Sequence, residues 1–227
     1  MKRFGIFFGG VAVLAAATGA AAAVQGSGAG SVSTTYDSSA ENAVELLAGP
    51  ERFAWQRPDR LLRLLSIRKG EKVADLGAGM GYFTSTFSSI IGHSGTVYAV
   101  ETDPELLKHL EIKAAGQDFD NTIVVRGSET DPNLPEDALD LILTVNTWHR
   151  LGDRRPMREA VSRALKPGGR FVVVDWHLGE IAIAPPVERR LPREELIAEM
   201  VADGWTVTTN SRLLKYQYLL IFTPPAP

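Results

Sequence analysis

The chain has 227 residues and a formal net charge of −3, and 44% of its residues are hydrophobic while 22% are charged. This composition is typical of a globular protein with a full hydrophobic core, and the absence of a basic run with interleaved aromatic residues argues against nucleic acid as a partner. The chain contains no cysteine, which excludes disulfides, thiolate metal sites, a cysteine nucleophile and a lipid-modified cysteine anchor.

The first residues have the parts of a secretory signal peptide. Lys2 and Arg3 are followed by an apolar stretch rich in Ala and Gly, which ends in three alanines, Ala21–Ala23. We predict a signal peptide over residues 1–23 and an exported, periplasmic protein that makes no contact with a membrane after signal cleavage. The alternative is an uncleaved segment that anchors the protein to the membrane.

Residues 24–45 are rich in small and polar residues and are predicted to be a flexible linker, with a short helix over 41–48, and residues 46–227 are predicted to form one domain. Strand and helix patterns then alternate in five predicted repeats. They predict an α/β fold with a doubly wound, mostly parallel seven-stranded sheet, helices on both faces and an antiparallel C-terminal hairpin. The predicted helices cover residues 59–66, 82–91, from 104, from 153 to about 166, and 192–204; the strands cover 72–76, 95–101, 122–125, 139–145, 170–175, 205–211 and 216–222.

A glycine loop joins the first predicted strand to the helix that follows it. The pattern is Asp-x-Gly-x-Gly-x-Gly, from Asp75 to Gly81. Glycines let a ligand approach the backbone, and a helix N-terminus offers free N–H groups, so the loop suits a nucleotide-like cofactor whose ammonium Asp75 could bind. The third glycine comes one residue earlier than in the dinucleotide fingerprint, which argues against a nicotinamide-dependent oxidoreductase. The alternative is a tight turn that binds nothing.

Three further positions at strand ends are candidates for binding the same cofactor. Glu101 ends the second predicted strand, twenty residues after Gly81, where a carboxylate can accept hydrogen bonds from ribose hydroxyls. Ser128 and Glu129 follow the third strand, and either could bind the exocyclic amine of an adenine. The sequence does not choose between these two.

Candidate catalytic residues follow the fourth and fifth predicted strands. Asn146, Trp148 and His149 come after the fourth strand and His177 after the fifth, so we expect them to face one cleft. The candidate catalytic residues are His149, His177 and Asn146, although a histidine at such a position can also be an ordinary loop or core residue. We predict no metal site, because His149, His177 and Asp175 lack the usual ligand spacing.

These motifs together resemble bacterial class I S-adenosylmethionine (SAM) dependent methyltransferases. The resemblance covers about three quarters of the chain and includes Trp55–Pro58, Val73–Phe83, Val97–Glu101, Leu165–Arg170 and Tyr216–Tyr218. It implies a Rossmann-like methyltransferase fold in an exported member of this family, with SAM as cofactor. The candidate cofactor-binding residues are then Asp75, Gly77, Ala78, Gly79, Gly81, Tyr82, Glu101, Ser128, Glu129 and Asn146.

One departure from the family concerns the base. Relatives often carry Asp-x-x-His-His after the fourth strand, whereas this chain has Asn146-Thr-Trp-His149-Arg150. An amide is not a base, so the identity of the base, and the need for one, stay open.

The sequence therefore predicts methyl transfer from SAM to a small-molecule acceptor. The acceptor pocket is expected to be lined by Trp148, His149, Trp176 and His177 and closed by residues 52–58 and 181–190. The alternative is a catalytically silent SAM-binding protein in the periplasm, because export separates the protein from the cytoplasmic supply of SAM. The oligomeric state is not specified by the sequence.

Overall fold

A computed structural model describes residues 51–116, 119–211 and 213–226. The predicted signal peptide, the linker and the short helix over 41–48 lie outside the described residues. Within the described part of the chain, no helix is both long enough and apolar enough to cross a bilayer.

Two short helices precede the sheet. Helix α1 spans Glu51–Gln56 and helix α2 spans Pro58–Leu65, with Arg57 between them at a left-handed φ of 48°. Pro58 occupies the first turn of α2, where its fixed φ suits a helix and its missing N–H costs nothing. Leu61 and Leu65 of α2 are fully buried and fasten it to the core.

The sheet has the predicted seven strands in the order β3-β2-β1-β4-β5-β7-β6. Strands β1 to β5 pair in parallel, β7 pairs antiparallel with β5, and β6 pairs antiparallel with β7. This arrangement confirms the predicted fold class, including the C-terminal hairpin. The strands are β1 Lys72–Leu76, β2 Thr96–Glu101, β3 Thr122–Arg126, β4 Leu139–Val145, β5 Leu165–Trp176, β6 Thr206–Ser211 and β7 Gln217–Thr223.

Four helices connect the strands. Helix α4 begins after Asp103, whose side chain accepts hydrogen bonds from the N–H groups of Glu105 and Leu106, as the Asp-Pro pair predicts. The helices are α3 Tyr82–Ile91, α4 Pro104–Ala114, α5 Arg154–Ala164 and α6 Arg193–Ala202, with single 3₁₀ turns at Trp148–Arg150 and Val187–Arg189.

The structure differs from the prediction in two places. The connection between β3 and β4, residues 127–138, contains no helix, so the prediction of five strand–helix repeats is wrong at this one; Pro132 and Pro135 interrupt any helical run there. Strand β5 begins at Leu165, earlier than predicted, because its pairing with β4 resumes across a register shift between Leu139 and Leu141.

Side chains from both faces of the sheet are buried in large apolar clusters. One cluster includes Trp148, Phe171, Tyr218 and Phe222, and the other includes Leu61, Phe87 and Val172. The strand order reverses between β1 and β4, and ligands of doubly wound sheets bind beyond the carboxyl ends of the strands at this point.

Candidate active site

The glycine loop after β1 is held against β2 by its backbone. The N–H groups of Gly77 and Ala78 both donate to the carbonyl of Val100, at 2.9 and 3.0 Å. Gly77 has a φ of +80°, and a Cβ there would lie 2.3 Å from Oγ1 of Thr147, so only glycine fits. Gly79 has a φ of +56° and no atom within 4 Å of an added Cβ, so its backbone faces open space that a ligand can enter.

Glu101 joins this loop to the end of β2. Its Oε2 accepts a hydrogen bond from the N–H of Gly79 at 2.9 Å, and its Oε1 accepts from the N–H groups of Thr102 and Asp103 at 2.7 and 3.2 Å. The carboxylate is therefore fixed beside the open space at Gly79, and Oε2 retains a lone pair for a further donor. The structure thus brings Glu101 and the glycine loop together.

Asp75 is enclosed at the end of β1. Only 3% of the residue is exposed, and its Oδ2 accepts a hydrogen bond from the hydroxyl of Thr84 at 2.7 Å. Burial raises the pKa of Asp75 to about 6, while the Thr84 hydrogen bond and the charge of Arg52 oppose this increase and the charge of Glu101 adds to it. Asp75 is thus a buried carboxyl at the end of β1, just before the glycine loop, and its contact with a cofactor stays a prediction.

Arg52 of α1 is a buried cation that the sequence did not indicate as a site residue. It is 7% exposed, and its guanidinium lies over the rings of Tyr82 and Phe83, 4.1 and 5.4 Å from their centroids. Burial lowers the pKa of Arg52 to about 10, against the opposing charges of Tyr82 and Asp75. The predicted closing segment, residues 52–58, thus contributes a positive charge next to the glycine loop.

His149 and Asp175 form a buried pair. Nδ1 of His149 lies 2.7 Å from Oδ1 of Asp175, and the two side chains are 6% and 1% exposed. The carboxylate also accepts from the backbone N–H groups of His149 and Trp176, at 3.0 and 2.9 Å. A carboxylate accepts hydrogen bonds and donates none, so a donor on Nδ1 suits this contact and would leave the lone pair of the imidazole on Nε2.

His177 lies beside this pair rather than in it. Its ring meets the ring of Tyr218 edge-on at 6.1 Å, and Tyr218 is directly opposite Asp175 in the β5–β7 ladder. Burial and the charge of Asp175 raise the pKa of Tyr218 above its usual range. His177 therefore shares the sheet face of Asp175, while its carbonyl accepts a hydrogen bond from Arg190 at 3.0 Å.

Arg190 fastens the loop that follows β5. Its side chain is buried and donates to the carbonyls of Pro185 and Gly179, at 2.6 and 2.7 Å, in addition to that of His177. Desolvation lowers its pKa. The predicted closing loop, residues 181–190, is thus tied to the end of β5 by one guanidinium.

Asn146 directly follows β4 in a left-handed conformation, with a φ of +57°. Its Oδ1 accepts a hydrogen bond from Gln217, and Gln217 pairs opposite Trp176, so this contact lies toward the sheet face opposite to that of Asp175. The hydrogen-bond partners of Asn146 and His149 thus lie toward opposite faces, while both residues follow the carboxyl end of β4, and the prediction that they face one cleft stays a prediction. Nδ2 of Asn146 is buried without a partner, a cost of about 1–3 kcal/mol.

Two predicted pocket-lining residues belong to the core. Trp148 is fully buried and packs on Phe171 with 4.9 Å between ring centroids, so the prediction that it lines the acceptor pocket is wrong: the 3₁₀ turn directs it inward. Trp176 is 2% exposed and stacks on Trp55 of α1 at 5.4 Å, so it supports α1 instead of facing an open cleft.

The loop after β3 is arranged as a local turn. The hydroxyl of Ser128 accepts from the N–H groups of Thr130 and Asp131 at 3.3 and 2.9 Å, whereas Glu129 is exposed. Ser128 is thus partly engaged by its own turn, and the role of either residue at an adenine stays a prediction. Among the described residues, no three His, Cys, Asp or Glu side chains are arranged to hold a metal ion.

Comparisons with known proteins agree with this geometry. Residues 74–173 match the family described as "Methyltransferase domain". The chain is 32% identical over 111 residues to the ubiquinone/menaquinone biosynthesis C-methyltransferase UbiE of Psychromonas ingrahamii, covering 48% of this chain and 44% of that protein. It is 31% identical over 118 residues to the protein-L-isoaspartate O-methyltransferase of Aeropyrum pernix, covering 50% and 42%. The chain thus spans less than half the length of both relatives.

A solved structure extends the likeness across most of the fold. The SAM-dependent methyltransferase from Aquifex aeolicus superposes with a TM-score of 0.74 at 24% identity, covering 79% of this chain and 95% of that one. The match of residues 74–173 to a methyltransferase domain, together with the shared fold, supports the predicted SAM-dependent methyltransferase and its cofactor, S-adenosylmethionine. The residues present fit that cofactor, because the open backbone at Gly79 adjoins a fixed carboxylate with a free lone pair.

Proposed function

We propose that this protein transfers a methyl group from SAM to a small-molecule acceptor. The observation that carries the proposal is the glycine loop, which is bonded to β2 and lies against Glu101 inside the matched segment 74–173. In this proposal Glu101 accepts hydrogen bonds from the ribose hydroxyls, the backbone at Gly79 borders the nucleoside, and Asp75 and Arg52 provide opposite charges near its amino-acid end.

SAM supplies a methyl carbon made electrophilic by the adjacent sulfonium. The residues of the chain have to align the acceptor with that carbon, exclude water and remove a proton where the acceptor carries one. His149 is the proposed proton acceptor, because Asp175 holds its Nδ1–H and leaves a lone pair on Nε2. His177 and the loop fastened by Arg190 are proposed to border the acceptor.

Calorimetry with SAM tests the proposal. The parent protein should bind SAM, and Glu101→Ala should weaken binding by about tenfold or more, because charge-assisted hydrogen bonds to the ribose are lost. Glu105→Ala, an exposed carboxylate on α4, is the matched control and should bind as the parent does. Absence of SAM binding by the parent would remove the proposal.

The second candidate is a catalytically silent SAM-binding protein in the periplasm, which the signal-like residues 1–23 favour because export would separate the domain from cytoplasmic SAM. Consumption of SAM by the purified protein distinguishes the two, since a silent protein binds SAM without turnover. We also propose export, with an uncleaved membrane anchor as the alternative. Fractionation of a tagged full-length protein, with N-terminal sequencing, separates a cleaved periplasmic form from an anchored or cytoplasmic one.

A further inference from the structure

A chain of buried side-chain hydrogen bonds connects α1 to the ends of β7 and β4. Arg52 donates through Nε to Oε1 of Gln56. Gln56 donates through Nε2 to Oε1 of Gln217 at 3.1 Å, and Gln217 donates through Nε2 to Oδ1 of Asn146. Gln56 and Gln217 are fully buried, so these side chains exchange hydrogen bonds with one another and not with solvent.

Arg52, the first residue in this series of hydrogen bonds, fixes the donor-to-acceptor direction of the whole series. A guanidinium donates hydrogen bonds and accepts none, so Gln56 must turn its oxygen toward Arg52 and its nitrogen toward Gln217. The same reasoning then applies to Gln217, which must turn its nitrogen toward Asn146. The orientation of each amide, which is usually ambiguous, is thus determined here by the positive charge at the start.

Asn146 consequently presents a donor. Its oxygen is taken by Gln217, so the remaining polar atom is Nδ2, which is buried and has no hydrogen-bond partner. The residue is 7% exposed, and its backbone is held in the left-handed region while its N–H donates to the carbonyl of Val174 at 2.9 Å. Strained residues with unsatisfied buried groups are concentrated at functional sites, and this one lies at the carboxyl end of β4, next to the strand-order reversal.

We propose that Nδ2 of Asn146 donates a hydrogen bond to an oxygen of the methyl acceptor, so that the site selects a phenol or a carboxylate over an amine. This inference rests on the proposed function and names its acceptor class. An amine that attacks the methyl carbon through its lone pair has only N–H groups left, and these cannot accept from Nδ2. An oxygen nucleophile has a second lone pair that can.

The bonds, electrons and proton of the proposed methyl transfer are all accounted for. The bond from the methyl carbon to sulfur breaks and sulfur keeps the electron pair, while a bond from the same carbon to the acceptor oxygen forms. A phenol gives its proton to the base proposed above, His149, and a carboxylate has none to give. The products are the methylated acceptor and S-adenosylhomocysteine.

The first test compares matched acceptors. SAM consumption is measured with phenol and benzoate and with aniline and benzylamine, for the parent, Asn146→Asp and Gln217→Glu. Asn146→Asp replaces the donor by an oxygen. Gln217→Glu removes the N–H that donates to Oδ1, so the side-chain amide of Asn146 should rotate by half a turn and donate to the new carboxylate instead. Both variants should lower the preference for oxygen acceptors by at least about tenfold, with SAM affinity unchanged within about twofold.

Two further variants are needed: one that avoids a buried charge, which could prevent folding, and one control. Gln217→Met keeps the volume without a charge and frees the Asn146 amide, so the preference should fall toward unity. Asn133→Asp is the control, because Asn133 is also a left-handed asparagine but is exposed and donates to the carbonyl of Arg126 in β3; its preference should match the parent.

A binding measurement applies even where turnover is absent. In the protein loaded with S-adenosylhomocysteine, the side-chain amide resonances of Asn146 should shift on addition of phenol or benzoate and not on addition of aniline. A shift with aniline alone, a parent preference for amines, or an unchanged preference in all three variants overturns the inference. So does a loss of SAM affinity in Asn146→Asp, since the donor then belongs to the cofactor. The proposed function fails separately, when the parent does not bind SAM.

Discussion

The two halves of the candidate active site are built differently. On the cofactor side, Gly77, Gly79 and Glu101 come from one strand–loop–helix unit and the strand next to it, and their contacts are mostly backbone hydrogen bonds. On the acceptor side, the contacts join residues from distant parts of the chain, as between Gln56 and Gln217, which are 161 positions apart.

This difference indicates which half of the site can change in sequence while the fold is kept. Backbone contacts and a required glycine tolerate few side chains, so the cofactor side is defined by a short motif. The acceptor side depends on individual side chains at strand ends, and these can change without altering the sheet. The two relatives named above illustrate this, since one is a C-methyltransferase and the other an O-methyltransferase.

The largest expected effect is on the acceptor side. His149→Ala should lower kcat by about 10²–10⁴-fold, as is typical when a general base is removed, while SAM affinity stays within about twofold. Stopped assays of S-adenosylhomocysteine formation measure the first and calorimetry the second. The effect should be largest for acceptors that carry a proton.

The matched control is His93→Ala. His93 also pairs with an aspartate, at 2.7 Å from Asp120, but 88% of its side chain is exposed and it lies outside the proposed site. It should leave kcat unchanged. If His149→Ala retains the parental kcat with a phenol, His149 is not the base.

The next effect is on the cofactor side and is structural. Gly77→Ala places a Cβ 2.3 Å from Thr147 at a φ of +80°, and overpacking together with left-handed strain should cost about 3 kcal/mol of unfolding free energy. Gly79→Ala carries the left-handed strain alone and should cost about 1 kcal/mol, yet it should weaken SAM binding because its Cβ enters the open space. Denaturant unfolding and calorimetry measure both. Equal losses of stability in the two variants would contradict the distinction.

The same contrast explains how much of the site could be predicted from sequence. The seven-stranded fold and the pairing of Glu101 with the glycine loop follow from periodicity and local spacing, and the structure contains both. The sequence does not predict the pairing of Asp175 with His149, because that pairing requires β4 and β5 to be adjacent. The sequence predicts that residues 52–58 close the site, but it does not indicate that Arg52 is buried against Tyr82 and Phe83.

Trp148 shows the limit of placing residues by strand ends alone. It follows β4, as active-site residues do, but the 3₁₀ turn of Trp148–Arg150 directs it into the core. Asn146 and His149 are only three residues apart, yet their partners lie toward opposite sheet faces. Spacing predicts that such residues reach the edge of the sheet and does not predict their direction.

The last expected effect is a pH dependence of stability at Asp75. Its pKa of about 6 is raised from an ordinary 3.8, so the folded protein binds this proton more tightly than the unfolded chain does. The stability that protonation provides is complete below pH 4 and is lost as the pH rises through 6. Asp75→Asn removes this loss, so its advantage over the parent should grow from near zero at pH 4 to at most about 3 kcal/mol at pH 7.5, at about 1.4 kcal/mol per unit.

Arg52 and Thr84 both affect the pH dependence of stability expected at Asp75. Arg52 loses a compensating charge in Asp75→Asn, which reduces the gain, whereas Thr84→Val removes the hydroxyl donor that lowers the pKa and should move the pH transition upward. Denaturant unfolding of the unliganded protein at pH 4.5, 5.5, 6.5 and 7.5 measures all three proteins. A constant difference between parent and Asp75→Asn across this range would mean that Asp75 does not titrate there. Because an ammonium ligand favours the ionised carboxylate, SAM should remove the same pH dependence if it binds beside Asp75.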